Sequence, residues 1–391
     1  MDISEVTDIE GYKQWMAERH MKGHFDREGE LDDFEPWLWK WDDVYAALTK
    51  GADFFEVGFG GRRNVNLVNP TTGRRKPSYT MSGSLQYLMP GDVAESHRHM
   101  ATTCRWVIQG DESAFSVMDG EAFPLLAGDL LVAPPYAWHG HYHQGQTPMI
   151  WLTATSELLR MNHGPAGAKY PERIQPADKP SGWWSGVMSG PTRPAALRSE
   201  HLRPPYRYQW TDTYGALMTL KEREVSDPYD GILLDFANPL DGGPTFTTLA
   251  ARIQLLTAHE GTKAHRHNST TLLRAFRGNG ATVVDGKRLE WSQGDIFVIP
   301  PWAIHHHENL GPQDAILYSL SDDSTWRNLG VYFEENEPTE VAKGRRPSPC
   351  RSQAEGPRGA DSPSQADKRL PPNRHRDSGP GENYGAQVQV D

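Results

Sequence analysis

One histidine pattern is written twice in this chain. "ESHRHMATTCRWVIQG" spans Glu95 to Gly110, and "KAHRHNSTTLLRAFRG" spans Lys263 to Gly278. The agreement continues downstream, where His139 follows His97 and His99 as His305 follows His265 and His267. Gly128-Asp129 matches Gly294-Asp295, and "PPYAWHGH" matches "PPWAIHHH". The offset stays at 168 or 166 residues across the block. A fixed offset of this kind marks an internal repeat, so the chain should fold as two copies of one small unit.

That unit reads as β. "NVNLVNP", "GSLQYLMPG", "CRWVIQG", "AFSVMDGEAFPLLAGDLLVAPP" and "MIWLTATS" are short runs split by Gly, Pro, Asn and Asp. Asp119-Gly120 and Asp285-Gly286 sit between apolar runs, as in a two-residue hairpin. Two copies of a small β-barrel follow. Ahead of them, residues 8–24 and 36–49 read as helices; in the second, Pro36 suits a first turn, and Trp37, Trp41, Val44 and Leu48 share a face. The expected division is a helical segment over 1–54, a first barrel over 55–156, a connection over 157–207 and a second barrel over 208–341. Residues 342–391 carry almost no large apolar side chain and read as a disordered tail.

Composition narrows the function classes. No apolar run approaches the roughly 20 residues of a membrane span. The first residues, "MDISEVTDIEGYKQWM", carry acids where a signal peptide would carry basic residues. Cys104 and Cys350 are too few for a disulfide framework or a thiolate cage, so a cytoplasmic protein is expected. A formal charge of −11 speaks against a nucleic-acid partner but leaves a small anionic substrate open.

A His-x-His pair on a strand puts both imidazoles on one face, because strand side chains alternate. A third histidine some 40 residues on can return across the barrel to meet them. Lone histidines are more often packed or solvated; repetition of all three in one frame argues for ligands. Neutral imidazoles suit iron, zinc, copper or nickel, and a facial set with open positions suits iron-dependent oxygen chemistry.

"PGDVAESHRHMATTCRWVIQG", "AGDLLVAPPYAWHGH" and "EPWLWKWDD" resemble the gentisate 1,2-dioxygenase family, whose relatives include salicylate and 1-hydroxy-2-naphthoate dioxygenases. The resemblance covers about residues 35 to 335. It implies a mainly β bicupin fold, two double-stranded β-helix (jelly-roll) barrels with N-terminal helices. It also implies Fe(II), a small aromatic acid and O2 as substrates, and a homodimer or homotetramer. Cupins commonly add a glutamate four or five residues after the second histidine. Thr103 and Cys104, or Thr271 and Leu272, stand there instead, so a three-histidine site is implied.

By the same resemblance His97, His99 and His139 would hold the iron. Gln86 and Arg105 would contact substrate, Arg105 also stabilising developing charge, and His141 would move protons. Arg62 and Arg63 would form a basic stretch at the pocket mouth. The plainer alternatives are a strand-edge hydrogen bond for Gln86, an internal ion pair for Arg105, a solvated turn for His141 and a solvated surface for Arg62 and Arg63. His265, His267 and His305 could hold a second metal, with Gln254 repeating Gln86 but Leu273 in the place of Arg105. Many gentisate enzymes read Trp-Leu-Asp after the third histidine; this chain reads "WLTATS", with Thr153 in place of the acid. Ring cleavage of a gentisate-like ortho-hydroxybenzoate is implied; if that acid serves to recognise a ring 5-hydroxyl, its loss gives ground to a halo-, nitro- or amino-substituted salicylate or 1-hydroxy-2-naphthoate.

Overall fold

A computed structural model describes residues 6–18, 34–55, 63–72, 76–158, 168–184, 186 and 204–337. Arg62 and the segment 342–391 lie outside the described residues. After a short helix α1 (Ile9–Ala17), the first repeat begins with strand β1 (Trp37–Trp39), helix α2 (Trp41–Phe54) and β2 (Arg63–Asn66). Strands β3 (Met81–Leu88), β4 (Val93–Arg98), β5 (Thr103–Gln109), β6 (Ala114–Met118) and β7 (Glu121–Pro124) follow. The repeat continues through β8 (Leu130–Ala133), β9 (His139–His143), β10 (Met149–Ser156) and β11 (Ala168–Lys169).

The second repeat runs in the same order. Its elements are β12 (Tyr206–Tyr208), α3 (Trp210–Glu222), β13 (Ile232–Asp235), β14 (Ala250–Leu256), β15 (His265–His267) and β16 (Thr271–Arg277). Then come β17 (Asn279–Val284), β18 (Lys287–Ser292), β19 (Ile296–Ile299), β20 (His305–Asn309), β21 (Ala315–Ser321), α4 (Asp323–Asn328) and β22 (Glu334–Asn336).

Each barrel closes from one six-stranded and one five-stranded sheet. In barrel one these run β2-β3-β10-β5-β8-β12 and β11-β4-β9-β6-β7; in barrel two, β13-β14-β21-β16-β19-β1 and β22-β15-β20-β17-β18. The six-stranded sheets carry apolar side chains on both faces. Val107, Leu131, Met149 and Trp151 fill barrel one, and Leu273, Phe297, Ile299 and Leu317 fill barrel two. The alternate residues, among them Leu85, Trp106, Val132 and Leu152 in one sheet and Ile253, Leu272, Val298 and Tyr318 in the other, form a single core between the barrels. Full burial of each such side chain contributes roughly 1.5–3 kcal/mol.

The expected helix over 36–49 is corrected at its start. Trp37–Trp39 is a strand that pairs antiparallel with Ile296–Val298 of barrel two, and the helix begins at Trp41. Three residues are too few to separate period two from period 3.6, and the deciding partner lies far along the chain. The expected helix over 8–24 is described only as Ile9–Ala17, with the residues after 18 outside the description. The connection over 157–207 also contributes structure. Ala168–Lys169 extends the five-stranded sheet beside β4, and Tyr206, within its span, opens a strand that pairs with β8.

These ends reveal a longer repeat than the histidine block. "PWLWKWDDVYAAL" (36–48) aligns with "PYRYQWTDTYGAL" (205–217) at an offset of 169. Each copy lays its first strand on the other repeat's barrel, β1 on β19 and β12 on β8. The Gly-Asp pairs are the docks. Asp295 Oδ1 accepts from the Trp41 backbone N–H at 2.8 Å, and Asp129 Oδ1 accepts from that of Trp210 at 2.8 Å. Both carboxylates thereby sit at a helix N-terminus, where backbone dipoles favour negative charge. Gly128 and Gly294 have φ of +93° and +98°, and a Cβ at either would stand 2.7 or 2.5 Å from Cγ of the docked tryptophan. Only glycine meets both conditions.

Candidate active site and metal centre

Backbone features, most of them shared by the two repeats, gather the histidines. Between Ala94 and His97 the β4–β9 register shifts, a bulge that brings His97 directly opposite His139. In barrel two His265 stands opposite His305. Asp119 and Asp285, both at positive φ in their Asp-Gly hairpins, accept at Oδ1 from Trp138 N at 2.8 Å and Ile304 N at 2.9 Å. The hairpin thus fixes the residue just before the third histidine. Tyr136 and Trp302, with φ of +63° and +65°, donate their backbone N–H to the carbonyls of His99 and His267 at 2.7 and 2.6 Å. Left-handed backbone at aromatic residues is costly, and here it ties the third histidine's loop to the second histidine.

The ligand atoms of His97, His99 and His139 lie within 4.8 Å of one another, and so do those of His265, His267 and His305. In barrel one each Nδ1 faces a carbonyl: Glu95 at 3.2 Å for His97, Ala101 at 2.7 Å for His99, Ala137 at 2.9 Å for His139. A carbonyl can only accept, so Nδ1 carries the proton and the Nε2 lone pair is left for a metal. His139 Nε2 is buried and has no hydrogen-bond partner among the described residues. Burial first, then the Arg105 guanidinium and the neighbouring histidines, hold His139 well below the ordinary imidazole pKa. A neutral, correctly oriented imidazole is what a divalent ion requires, so the residues present fit one.

The other expected residues divide in two groups. Gln86 and Arg105 on the six-stranded sheet, and His141 on the five-stranded sheet, turn into the same barrel interior as the triad. Arg105 is opposite Thr153 on one side and Leu131 on the other; Gln86 is opposite Trp151. Gln86 and Arg105 are each only 3% exposed, and the Gln86 Nε2 is buried with no partner among the described residues. His141 is buried two residues along β9 from His139 and packs on Trp151, ring centroids 4.7 Å apart. Arg63 is placed differently. Its guanidinium pairs with Asp92 and donates from Nε to the Phe55 carbonyl at 2.6 Å, on strand β2 at the edge of the sheet.

Trp151 was not singled out in the sequence as a site residue, though it forms the wall between Gln86 and His141. Its signal was available: it lies two residues before Thr153 on one strand, hence on the same face. Ser84, directly across from Thr153, was missed for the same reason.

In barrel two His305 Nδ1 faces the Ala303 carbonyl at 2.9 Å and His267 Nδ1 that of Ser269 at 3.0 Å. The Nε2 atoms of His265 and His305 are 2.8 Å apart. That is close to the roughly 3 Å expected of two nitrogens about 2.1 Å from one ion at a right angle. Burial lowers His267 to about 4 and His307 to about 3.

Residues 84–155 and 252–321 each match the Cupin_2 family, described as a cupin domain. The chain is 34% identical over 311 residues to a 5-aminosalicylate 1,2-dioxygenase of Comamonas sp, covering 77% of this chain and 82% of the relative. It is 34% identical over 319 residues to a gentisate 1,2-dioxygenase of Haloferax sp, covering 77% and 88%. The chain belongs to the gentisate 1,2-dioxygenase family. Among solved structures, the family's salicylate 1,2-dioxygenase from Pseudoaminobacter salicylatoxidans, in adducts with gentisate, superposes with a TM-score of 0.76. That match is 25% identical and covers 87% of this chain and 96% of the other. A mainly β bicupin and a ring-cleaving dioxygenase are therefore what this family's relatives and both barrels describe.

Proposed function

We propose that barrel one is an Fe(II)-dependent dioxygenase site. It would open an ortho-hydroxybenzoate ring between the carboxyl-bearing and hydroxyl-bearing carbons and add both atoms of O2 to the product. The observation that carries this reading is the buried Arg105 beside the triad. Arg105 is 3% exposed on the inward side of β5, opposite Leu131 and Thr153, and its charge acts on His139, so an anion in this interior would meet both.

His97, His99 and His139 would hold the metal. When bound, it would supply Lewis acidity and an electron path between the aromatic ring and O2. The three neutral ligands leave its charge uncompensated, and Arg105 adds another, so the pocket favours an anionic chelating substrate. Arg105 would orient the carboxylate and stabilise negative charge as it develops. The Gln86 amide would donate its Nε2 hydrogen to a substrate oxygen. His141, held against Trp151, would take or return a proton at an imidazole nitrogen. Leu131, Val107 and Trp151 would exclude water from the face where the ring lies.

Half-buried Thr153 stands across from Arg105 and Ser84, so this wall presents hydroxyls where a gentisate enzyme of the expected pattern has a carboxylate. That favours a salicylate with a 5-amino or other 5-substituent over gentisate. The family resemblance supports a homodimer or homotetramer. Among the described residues no helix is long and apolar enough to cross a membrane.

The test is O2 uptake by Fe(II)-loaded protein with salicylate, 5-aminosalicylate, gentisate, 1-hydroxy-2-naphthoate and catechol. Uptake with a ring-opened product from the ortho-hydroxy acids, and none from catechol, is expected. Silence across the acids with iron bound would overturn the reading.

A further inference from the structure

The second histidine cluster lies in a cavity whose chemistry differs from that of barrel one. Its volume is about 230 Å³. That accommodates an ion and a few waters, at about 30 Å³ each, and falls below the roughly 300–1,000 Å³ usual for small-molecule pockets. Where barrel one presents Arg105, this cavity presents Leu273. Four carboxylates line it, Asp230, Asp235, Asp323 and Glu334, against two guanidiniums, Arg252 and Arg327.

The pairing of these charges locates the excess. Arg252 reaches Asp323 at 2.6 Å and Asp235 at 2.7 Å, and Arg327 reaches Asp323 at 3.1 Å. Asp230 and Glu334 make no salt bridge among the described residues: half-buried Asp230 is attracted only at longer range by His265 and Arg252, and exposed Glu334 accepts the Tyr332 hydroxyl at 2.9 Å. With four carboxylates and two guanidiniums, the wall is two negative charges in excess. One divalent cation on His265, His267 and His305 would balance it. Gln254 Nε2 and His265 Nδ1, both on buried side chains, also have no hydrogen-bond partner among the described residues.

We infer that barrel two holds a resident divalent cation whose counter-charge is built into the protein, and that it rejects aromatic acids. In barrel one the corresponding charge deficit would be filled by substrate. In barrel two it is already filled by Asp230 and Glu334, and a further carboxylate would meet like charge. The division of labour follows from the two walls: one centre requires an anion, the other repels it.

Metal counting on the full-length protein tests this independently of the barrel-one reading. After loading with Co(II) and removal of excess, two ions per wild-type chain are expected, and one in His139→Ala and one in His305→Ala. Salicylate should shift the Co(II) absorption bands of His305→Ala and leave those of His139→Ala unchanged. Asp230→Asn with Glu334→Gln should weaken Co(II) binding to barrel two by about 10- to 100-fold, the range for groups that support metal ligands. One ion per wild-type chain that is kept in His139→Ala and lost in His305→Ala would count against the barrel-one reading alone; one that is lost in His139→Ala and kept in His305→Ala would overturn the inference. So would an empty but folded His139→Ala, a salicylate-induced shift in its bands, or unchanged affinity in the double variant.

Discussion

Arg105 and His139 face one barrel interior from its two sheets but would do different work, and their replacement separates the roles. His139→Ala should abolish turnover and lower bound metal by one ion per chain. Arg105→Ala should leave that metal in place and lower kcat/KM by about 100- to 1,000-fold, the usual cost of losing a donor aimed at developing charge. Arg105→Lys should recover only part, because an ammonium lacks the two-pronged geometry that matches a carboxylate. Loss of metal in either Arg105 variant would make its role structural. Thr153→Asp should raise the ratio of kcat/KM for gentisate over 5-aminosalicylate; an unchanged ratio removes Thr153 from specificity. The histidines were legible in the sequence because spacing and repetition carried them. Gln86 and Arg105 were legible only through family likeness, since nothing local distinguishes an inward arginine from a strand-edge one. Arg63 shows the converse: its ion pair with Asp92 depends on a loop 29 residues away that spacing does not reveal.

The Gly-Asp dock and the helix it receives form the element that sequence periodicity misread. "EPWLWKWDD" has a proline-led helix pattern, yet its first three residues after Pro36 are drawn into barrel two by pairing with β19. The matching "PYRYQW" was readable at the same time, but substitutions at five of seven aligned places from 37 to 43 hide the likeness until both copies are seen docked. Gly128→Ala should destabilise by about 1–3 kcal/mol, since its Cβ would meet Trp210 at 2.7 Å in a left-handed backbone conformation. Gly51→Ala is the contrasting case, a helical position with nothing within 4 Å of the added methyl. It should stabilise by about 0.5–1 kcal/mol. Thermal melts of the two proteins should therefore move in opposite directions, and a shared direction would refute the docking account.

The barrels meet not only through their apolar sheets but at a polar seam, where Thr80 Oγ1 of barrel one donates to Thr270 Oγ1 of barrel two at 3.5 Å, and beside it Asp322 accepts from Thr270 N at 2.8 Å and from Trp326 Nε1 at 3.1 Å. Burial raises its carboxyl pKa to about 6, and Oδ2 has no partner among the described residues. A folded pKa above the unfolded value near 3.8 favours the folded state when protonated. That contribution is full below about 3.8 and lost as pH rises through about 6. Asp322→Asn, neutral at every pH, should thus be more stable than wild type at pH 8, by at most about 3 kcal/mol. The advantage should shrink toward pH 4 in denaturant titrations; a pH-independent difference would refute it. The reciprocal placement of β1 and β12 has a consequence for anyone who cuts this chain in two. A break between the repeats leaves the amino-terminal piece without the edge strand of its own barrel, and the carboxy-terminal piece without the edge strand of its own. Each fragment carries the part the other lacks. Co-expressed halves should therefore find one another and complement, while either half produced alone should be the poorer folder, and damage near residue 38 should surface as a defect more than 250 residues downstream.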